Sequence, residues 1–182
     1  MMTWILIGAL IIFVLFVWML YNGLIRLKNQ VDNAWAQIDV QLKRRYDLIP
    51  NLIEAVKGYM KHEKGVLESV TKARTSLMQA DTVGKKAQAD NMLAGTLKSL
   101  FAVAENYPQL KANENFLQLQ EELAGTENKI AYARQHYNDM VMSFNTRIEL
   151  FPNNLFARFL SFTKRESFKT EGAQRENIKV SF

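Results

Sequence analysis

The chain opens with a long apolar run. No charged side chain occurs in residues 1–25, and most of these residues are large and hydrophobic. Wound into a helix, the run is about 37 Å long, which exceeds the roughly 30 Å hydrocarbon core of a bilayer. Trp4 lies near one end and Trp18 and Tyr21 near the other, where aromatic rings favour the headgroup level. The pattern predicts a transmembrane anchor over residues 1–25.

Two features favour an anchor that is retained. No Lys or Arg precedes the run and no small-residue cleavage site follows it, although a signal peptide needs both. The chain also has no Cys, so it offers no site for a lipid-modified cysteine.

Arg26 and Lys28 follow the run at once, and Lys43, Arg44 and Arg45 lie further along its flank. This charge asymmetry predicts an N-terminus outside and a C-terminal domain in the cytoplasm.

Beyond the anchor the apolar positions follow a helical period. Steps of three and four residues define one buried face of a helix that continues out of the anchor: Val31, Trp35, Ile38, Leu42, Tyr46 and Ile49. Pro50 then removes a backbone N–H and disfavours the α conformation at the preceding residue. Two outcomes remain open. The helix kinks at Pro50, or a new helix starts with Asp47 as its N-cap and Pro50 in its first turn.

Three further helical stretches are predicted after Pro50. The second ends near Ala80, and Asp81 or Thr82 is placed to cap a third over residues 83–106. A break at Tyr107 and Pro108 separates the third helix from a fourth over residues 114–150. Strand-like alternation is nearly absent. The expected fold class is all-α: a transmembrane helix that continues into an antiparallel bundle of long helices.

The fourth helix carries the most regular pattern in the chain. Its apolar positions alternate steps of three and four over roughly five heptads. They are Phe116, Leu119, Leu123, Thr126, Ile130, Ala133, Tyr137, Met140 and Phe144. Two interpretations are open: the seam packs against antiparallel neighbours in its own bundle, or it associates with a second protein chain.

These patterns divide the chain into three parts. Residues 1–25 form the anchor, residues 26–158 the helical bundle domain, and residues 159–182 a polar C-terminal tail that is partly disordered. The tail alternates Phe with Ser, Thr and charged residues and lacks a helical period. Mobility is expected beyond about Lys169.

The net charge of +5 indicates what the domain contacts. Cations gather just after the anchor and again in the tail, which suits a domain close to anionic membrane lipids. No nucleic-acid partner is expected, because the basic residues are not interleaved with aromatic ones and match no known binding module.

The residue inventory argues against catalysis. The chain has two histidines and no cysteine. His62 and Glu63 resemble the opening of a zinc-protease motif, but Val66 stands where the second histidine ligand is required. His136 is a lone histidine on the fourth helix, and a solvated side chain is the expectation for it. No enzyme activity, metal or cofactor is predicted.

Two groups of polar residues are candidates for interaction. The first group is Arg44, Arg45, Asp47 and Pro50, together with Lys43. Around a broken helix these side chains form ion pairs and caps, or they bind an anion or a lipid headgroup. The second group flanks the heptad seam and consists of Glu127, Arg134, Asn138 and Asn145. Residues at this spacing fix helix register, pair with a neighbouring helix, or line a ligand site in the bundle.

Several runs of sequence together resemble a known family. They include NAWAQIDVQLKRRYDLIPNL at 33–52, VKGY at 56–59, the YP and LKAN runs at 107–113, and the pairs EN, AR, YN and FP at 127, 133, 137 and 151. From the anchor to Phe159 the chain closely resembles the LemA family of bacterial proteins.

The resemblance implies one helix across the cytoplasmic (inner) membrane, a short N-terminus outside and a cytoplasmic helical bundle. It implies no catalytic residue. One family member is associated with magnetosome membranes, and family genes often lie beside membrane metalloproteases of the HtpX type. Both associations favour a membrane-anchored scaffold or adaptor that binds other membrane proteins, with an HtpX-type metalloprotease as one candidate partner, or copies of itself as a homo-oligomer. A protein that senses anionic lipid or membrane curvature is the second hypothesis, and an enzyme with an unfamiliar site is the third.

Overall fold

The computed structural model describes residues 1–169, and these residues form an all-α fold without strands. The fold class predicted from the pattern is therefore confirmed. Within residues 1–169 six helices follow one another: α1 (Met2–Lys57), α2 (Lys64–Gln79), α3 (Val83–Ala104), α4 (Pro108–Lys111), α5 (Glu114–Glu149) and α6 (Asn153–Phe159).

Helix α1 runs through Pro50 without interruption. The alternative in which a new helix starts with Asp47 as its N-cap is therefore wrong, and the break falls instead at residues 58–63. Proline costs a helix the bond to the carbonyl four residues earlier, which here belongs to Tyr46. The Nε of Arg74 on α2 donates a hydrogen bond of 2.9 Å to that carbonyl. A partner from another helix thus replaces the missing amide, which allows the helix to continue.

The later helix boundaries follow from caps that the sequence contains. The hydroxyl of Thr82 accepts a hydrogen bond of 3.3 Å from the amide of Lys85, which satisfies one free donor at the start of α3. The side chain of Asn113 accepts one of 3.1 Å from the amide of Phe116 at the start of α5. Helices α3 and α5 thus begin where predicted and end within two residues of the predicted bounds. Where only a break was predicted, α4 forms with Pro108 in its first turn.

Two compact units divide the described residues. The first unit consists of residues 1–37 and 135–167, and it holds the start of α1, the end of α5, and α6. In this unit the ring centroids of Trp35 and Tyr137 are 5.4 Å apart. Further along, Phe156 of α6 lies beside Trp18. Because α5 and α6 lead towards lower-numbered residues of α1, α1 and α5 are antiparallel.

The anchor part of the first unit is exposed along its length. Side chains up to Tyr21 are largely uncovered by protein, and this stretch of α1 is long and apolar enough to cross a membrane. Leu24, in contrast, is fully buried. The packed part of the unit therefore begins within one helical turn of Tyr21.

The second unit consists of residues 38–134 and the described residues after Ser167. It contains the end of α1, the hairpin of α2 and α3, helix α4 and the start of α5. Its core is built from apolar side chains with no more than slight exposure, among them Ile38, Leu42, Ile49, Leu52, Val70, Leu93, Leu100 and Ile130. The rings of Phe101 and Phe116 meet edge to face at 6.1 Å. This core holds the polar residues described below.

The heptad seam of α5 is used inside this chain. Most of its positions are buried, namely Phe116, Leu123, Thr126, Ile130, Tyr137 and Phe144. Ring contacts with Trp35, Phe101 and Phe162 occupy three of them. Packing within the bundle therefore accounts for the seam.

The first part of the tail is packed although it forms no regular helix beyond Phe159. Phe162 contacts Phe144 with ring centroids 6.2 Å apart, and Phe168 is buried. The mobility predicted beyond Lys169 falls on residues 170–182, which lie outside the described residues. The proposed domain bounds at 26–158 and 159–182 remain predictions.

Candidate functional site

Four charged side chains from three helices form one ion-pair network in the second unit. Arg45 of α1 contacts Asp90 of α3 at 2.8 Å and Glu127 of α5 at 2.6 Å. Arg134, two turns beyond Glu127 on α5, contacts the other carboxylate oxygen of Asp90. The network thus joins α1, α3 and α5 through two guanidinium groups and two carboxylates, whose charges balance.

The network is largely withdrawn from solvent. The side chain of Asp90 is 0% exposed and that of Arg45 4%, whereas Glu127 keeps 43% of its side chain exposed. Burial raises the pKa of Asp90 above its usual range, and the two guanidinium groups act in the opposite direction. For such a group, desolvation competes closely with Coulomb attraction, so a buried ion pair is better evidence for fixed geometry than for stability.

Phe168, beyond α6, also contributes. The guanidinium of Arg134 lies 5.1 Å from the ring centroid of Phe168, a distance at which a cation and an aromatic face attract each other. The network contains no thiol, hydroxyl or imidazole. Chemically it can hold helices in register or bind a charged group.

Only one residue of the first predicted group enters this network. Arg44 is exposed and 4.0 Å from Glu122. Asp47 and Pro50 are also exposed, on the continuous helix α1. The group was expected around a broken helix, and because the helix is not broken, no set of free carbonyls gathers these residues. Arg45 alone of the group points into the core.

The residues of the second predicted group make two separate sets of contacts. Glu127 and Arg134 belong to the network described above. Asn145 instead binds the backbone of Arg165 on both sides: its amide donates to the carbonyl at 2.9 Å, and its oxygen accepts from the N–H at 2.8 Å. Tyr137 adds a hydrogen bond of 2.8 Å to the carbonyl of Glu166. Asn138 is half-buried on the same helix.

Sequence reasoning missed Asp90, the most deeply buried member of the network. A signal for it exists: Asp90 falls in register with Leu93, Leu97 and Leu100 on the apolar face of α3. A single carboxylate on a buried stripe requires a charged partner.

A second feature that the sequence reading missed is an open groove between the end of α1 and the start of α2. Its volume is about 1110 Å³. Ile53, Met60 and Leu67 form an apolar floor, and Met60 is fully buried. Charged side chains surround the floor: Lys57, Lys61, Lys64 and Lys72, with Glu54 and Glu68. Cations therefore outnumber carboxylates around an apolar floor.

The two histidines lie apart from the network. His62 lines the groove and His136 is exposed on α5. Within residues 1–169, no group of three or more His, Cys, Asp or Glu side chains is arranged to hold a metal ion.

The predicted membrane-interface residues lie along the first part of α1. Trp4, Trp18 and Tyr21 are exposed, as is Arg26, while Lys28 is half-buried. A helix that leaves its large apolar side chains uncovered while the rest of the chain packs into a helical domain defines a membrane-associated helical protein.

Comparison with known proteins makes this class specific. The sequence matches the model of the LemA family over residues 34–182, and the chain belongs to that family. It is 30% identical to Protein LemA of Metamycoplasma hominis over 165 residues, which cover 88% of this chain and 74% of that protein. It is 23% identical over 191 residues to Magnetosome protein MamQ 2 of Paramagnetospirillum magneticum, with 91% and 70% covered. It is 22% identical to Magnetosome protein MamQ of Magnetospirillum gryphiswaldense, with the same coverage. None of these descriptions names a reaction.

Proposed function

We propose that this protein is a membrane-anchored adaptor whose groove between α1 and α2 binds an acidic amphipathic segment of another membrane protein. The observation that carries the proposal is the groove itself, with its apolar floor and its surplus of lysines. An amphipathic helix places apolar residues in such a groove at i, i+3, i+4 and i+7. Acidic residues on the flanks of that helix would meet the lysines.

The electrostatics of the groove support an acidic occupant. Lys57 and Glu54 are 3.7 Å apart, but both are largely exposed, so their mutual attraction is weak. The remaining lysines have one carboxylate, Glu68, among them. Complementary charge of this kind contributes mainly to association rate and to the choice of partner. The apolar floor would supply most of the affinity.

A photocrosslinking experiment in native membranes tests the proposal. Benzoylphenylalanine is introduced into the full-length chain in place of Thr71, which lies in the groove, and should crosslink to a partner protein. The control carries the same photoreactive residue in place of Ser99, which is exposed on α3. Mass spectrometry of the crosslinked peptide should show an acidic, amphipathic sequence. A crosslink no stronger than that at Ser99, a crosslink to a second copy, or one to lipid overturns the proposal.

The captured sequence allows a second measurement. A synthetic peptide of that sequence should bind the purified full-length chain in detergent. The double variant Lys61→Glu/Lys64→Glu should raise the Kd by about tenfold or more, which corresponds to a loss of about 1.4 kcal/mol of binding free energy. Lys98→Glu/Lys129→Glu, which changes the same charge outside the groove, should leave Kd unchanged. Equal losses in both variants would mean general charge attraction. An HtpX-type metalloprotease, implied by the family resemblance, is one candidate source of the peptide.

The proposal also specifies topology: the N-terminus lies outside, and the domain lies in the cytoplasm at the inner membrane. The absence of Lys and Arg before the anchor and the presence of Arg26 and Lys28 after it support this orientation. Because the chain has no cysteine, single-cysteine variants report one position each. A membrane-impermeant maleimide applied to spheroplasts should label the Thr3→Cys variant and spare Ser99→Cys until lysis. The reverse pattern would invert the topology and remove cytoplasmic partners.

A further inference from the structure

Helix α6 carries apolar side chains outward. Leu155 and Phe159 are one helical turn apart on α6, and Phe151 lies in the turn just before the helix; the exposed fractions of Leu155, Phe159 and Phe151 are 60%, 86% and 79%. The buried residues of α6 are Asn153 and Ala157. A helix on a surface that faces water has the reverse arrangement, with polar residues outward.

An adjoining side of α6 lies beside the anchor, and Phe159 belongs both to this side and to the exposed one. An apolar cleft of about 440 Å³ is lined on one side by Phe13, Trp18 and Tyr21 of α1 and on the other by Phe156, Phe159 and Leu160. The residues from α1 belong to the exposed stretch that is able to span a membrane. The exposed apolar surface of the anchor therefore continues onto α6 within one compact unit.

We infer that α6 is a second membrane contact: the face formed by Phe151, Leu155 and Phe159 inserts into the headgroup boundary of the bilayer that α1 spans. Interfacial helices of this kind bury an apolar face about 5–10 Å below the headgroups and keep cations beside it. Arg147 at the end of α5 and Arg158 on α6 are both exposed and supply that charge. The inference depends on membrane association alone and stands apart from the occupant of the α1–α2 groove.

The dimensions of the anchor agree with this position. The distance from Trp4 to Tyr21 along the helix is about 26 Å, close to the roughly 30 Å hydrocarbon thickness. Leu24 is already fully buried by protein. The membrane boundary therefore falls near Trp18 and Tyr21, which is the level of the cleft and of α6. Aromatic residues at that level match the preference of such rings for the interface.

Lipid is the occupant that these observations favour. A second copy or another protein could cover Phe151 and Phe159, but it would also have to cover the adjoining exposed residues of the anchor. A bilayer solvates both surfaces at once and needs no further interface. The positively charged side chains of Arg147 and Arg158 suit the negatively charged phosphates of lipid headgroups.

Spin labels measure the depth of α6 in the full-length protein. The single-cysteine variants Leu155→Cys and Phe159→Cys are labelled with a nitroxide and reconstituted into vesicles of phosphatidylcholine with phosphatidylglycerol. Collisions with oxygen, which concentrates in lipid, are compared with collisions with a water-soluble nickel chelate. Both positions should show a severalfold higher ratio of oxygen to nickel accessibility than His136→Cys, an exposed position on α5 of the same unit. Leu10→Cys in the anchor gives the fully embedded reference.

Each outcome decides the inference. A ratio at positions 155 and 159 equal to that of His136→Cys would place α6 in water and overturn it. Labels that neither reagent reaches would indicate a protein contact, and this also overturns it. In vesicles that contain phosphatidylglycerol the labels should lie deeper than in pure phosphatidylcholine, and Arg147→Gln/Arg158→Gln should remove that difference. A difference that persists in this variant would contradict the role of the two arginines.

Discussion

The Nε of Arg74 lies 2.9 Å from the backbone oxygen of Tyr46, and this oxygen is the one that Pro50 leaves without an amide donor. The two residues belong to different helices, α2 and α1. A local defect of the sequence is thus repaired by a contact between helices. The donor lies 28 positions further along the chain than the oxygen that it reaches.

Replacing Arg74 by Met should expose this dependence. Met has an unbranched side chain that can fill much of the same space but cannot donate a hydrogen bond. The Tyr46 carbonyl is then left unpaired, which should lower the free energy of unfolding by about 1–3 kcal/mol. For a protein of this size each kcal/mol lowers Tm by about 2–4 °C. Circular dichroism of the full-length protein in detergent during heating measures the change.

Pro50→Ala provides the control, because it restores an N–H to the helix. In that background Arg74→Met should cost clearly less, with a coupling of about 0.5–3 kcal/mol between the two sites. Additive effects would show that the hydrogen bond from Arg74 does not compensate for the proline.

A second prediction compares neighbouring arginines. Arg45→Met removes a partner from buried Asp90 and should destabilise the protein by about 3–5 kcal/mol near neutral pH. Arg44→Met removes only a solvent-exposed contact with Glu122, 4.0 Å away, and should change stability by no more than about 0.5 kcal/mol. Denaturant unfolding of both variants beside the wild type gives the two values. Similar losses of stability in Arg45→Met and Arg44→Met would mean that the buried ion pairs contribute no more than a solvent-exposed one.

The loss caused by Arg45→Met should depend on pH. Burial already raises the pKa of Asp90 above its ordinary value of 3.8, and Arg45 opposes that rise. Without Arg45 the folded state binds the proton still more tightly than the unfolded state, so stability falls as pH rises through the window above 3.8. The difference between wild type and variant should therefore shrink as pH is lowered from 7 towards the acid end of that window. Unfolding curves measured across this range check the sign, and a pH-independent difference would contradict it.

The pattern of the sequence predicted what depends on local periodicity. The heptad seam located α5 almost to the residue, and the threonine before Val83 located α3. The sequence left the course of α1 at Pro50 open between two outcomes, because the donor to the Tyr46 carbonyl, Arg74, belongs to another helix, and pairing of distant residues leaves no local signal. Within the network, Glu127 and Arg134 stood out through their spacing along one helix. Asp90 was missed because it is isolated among apolar residues.

The tail shows the same limit of local reasoning. Its alternation of Phe with polar residues predicted no helix, and it gave no sign that Phe162 contacts Phe144 or that Phe168 is buried. Hydrogen bonds to this segment come from Asn145 and Tyr137 on α5, and Arg165 itself donates one of 3.1 Å to Asp32 on α1. Backbone groups of an irregular segment need partners as much as those of a helix do. The asparagine was visible in the sequence, but its partner was not.

The last prediction tests that attachment. Asn145→Ala removes both hydrogen bonds to the backbone of Arg165, each of which contributes about 0.5–1.5 kcal/mol. When opening is fast relative to cleavage, proteolysis follows the population of the open segment. Tryptic cleavage after Lys164 and Arg165 in the native full-length protein should therefore accelerate by roughly fivefold to 150-fold, as followed by mass spectrometry of the released fragments. Asn128→Ala, at an exposed position of the same helix, should leave the cleavage rate unchanged. An equal rate in wild type and Asn145→Ala would mean that Phe162 and Tyr137 hold the segment without the asparagine.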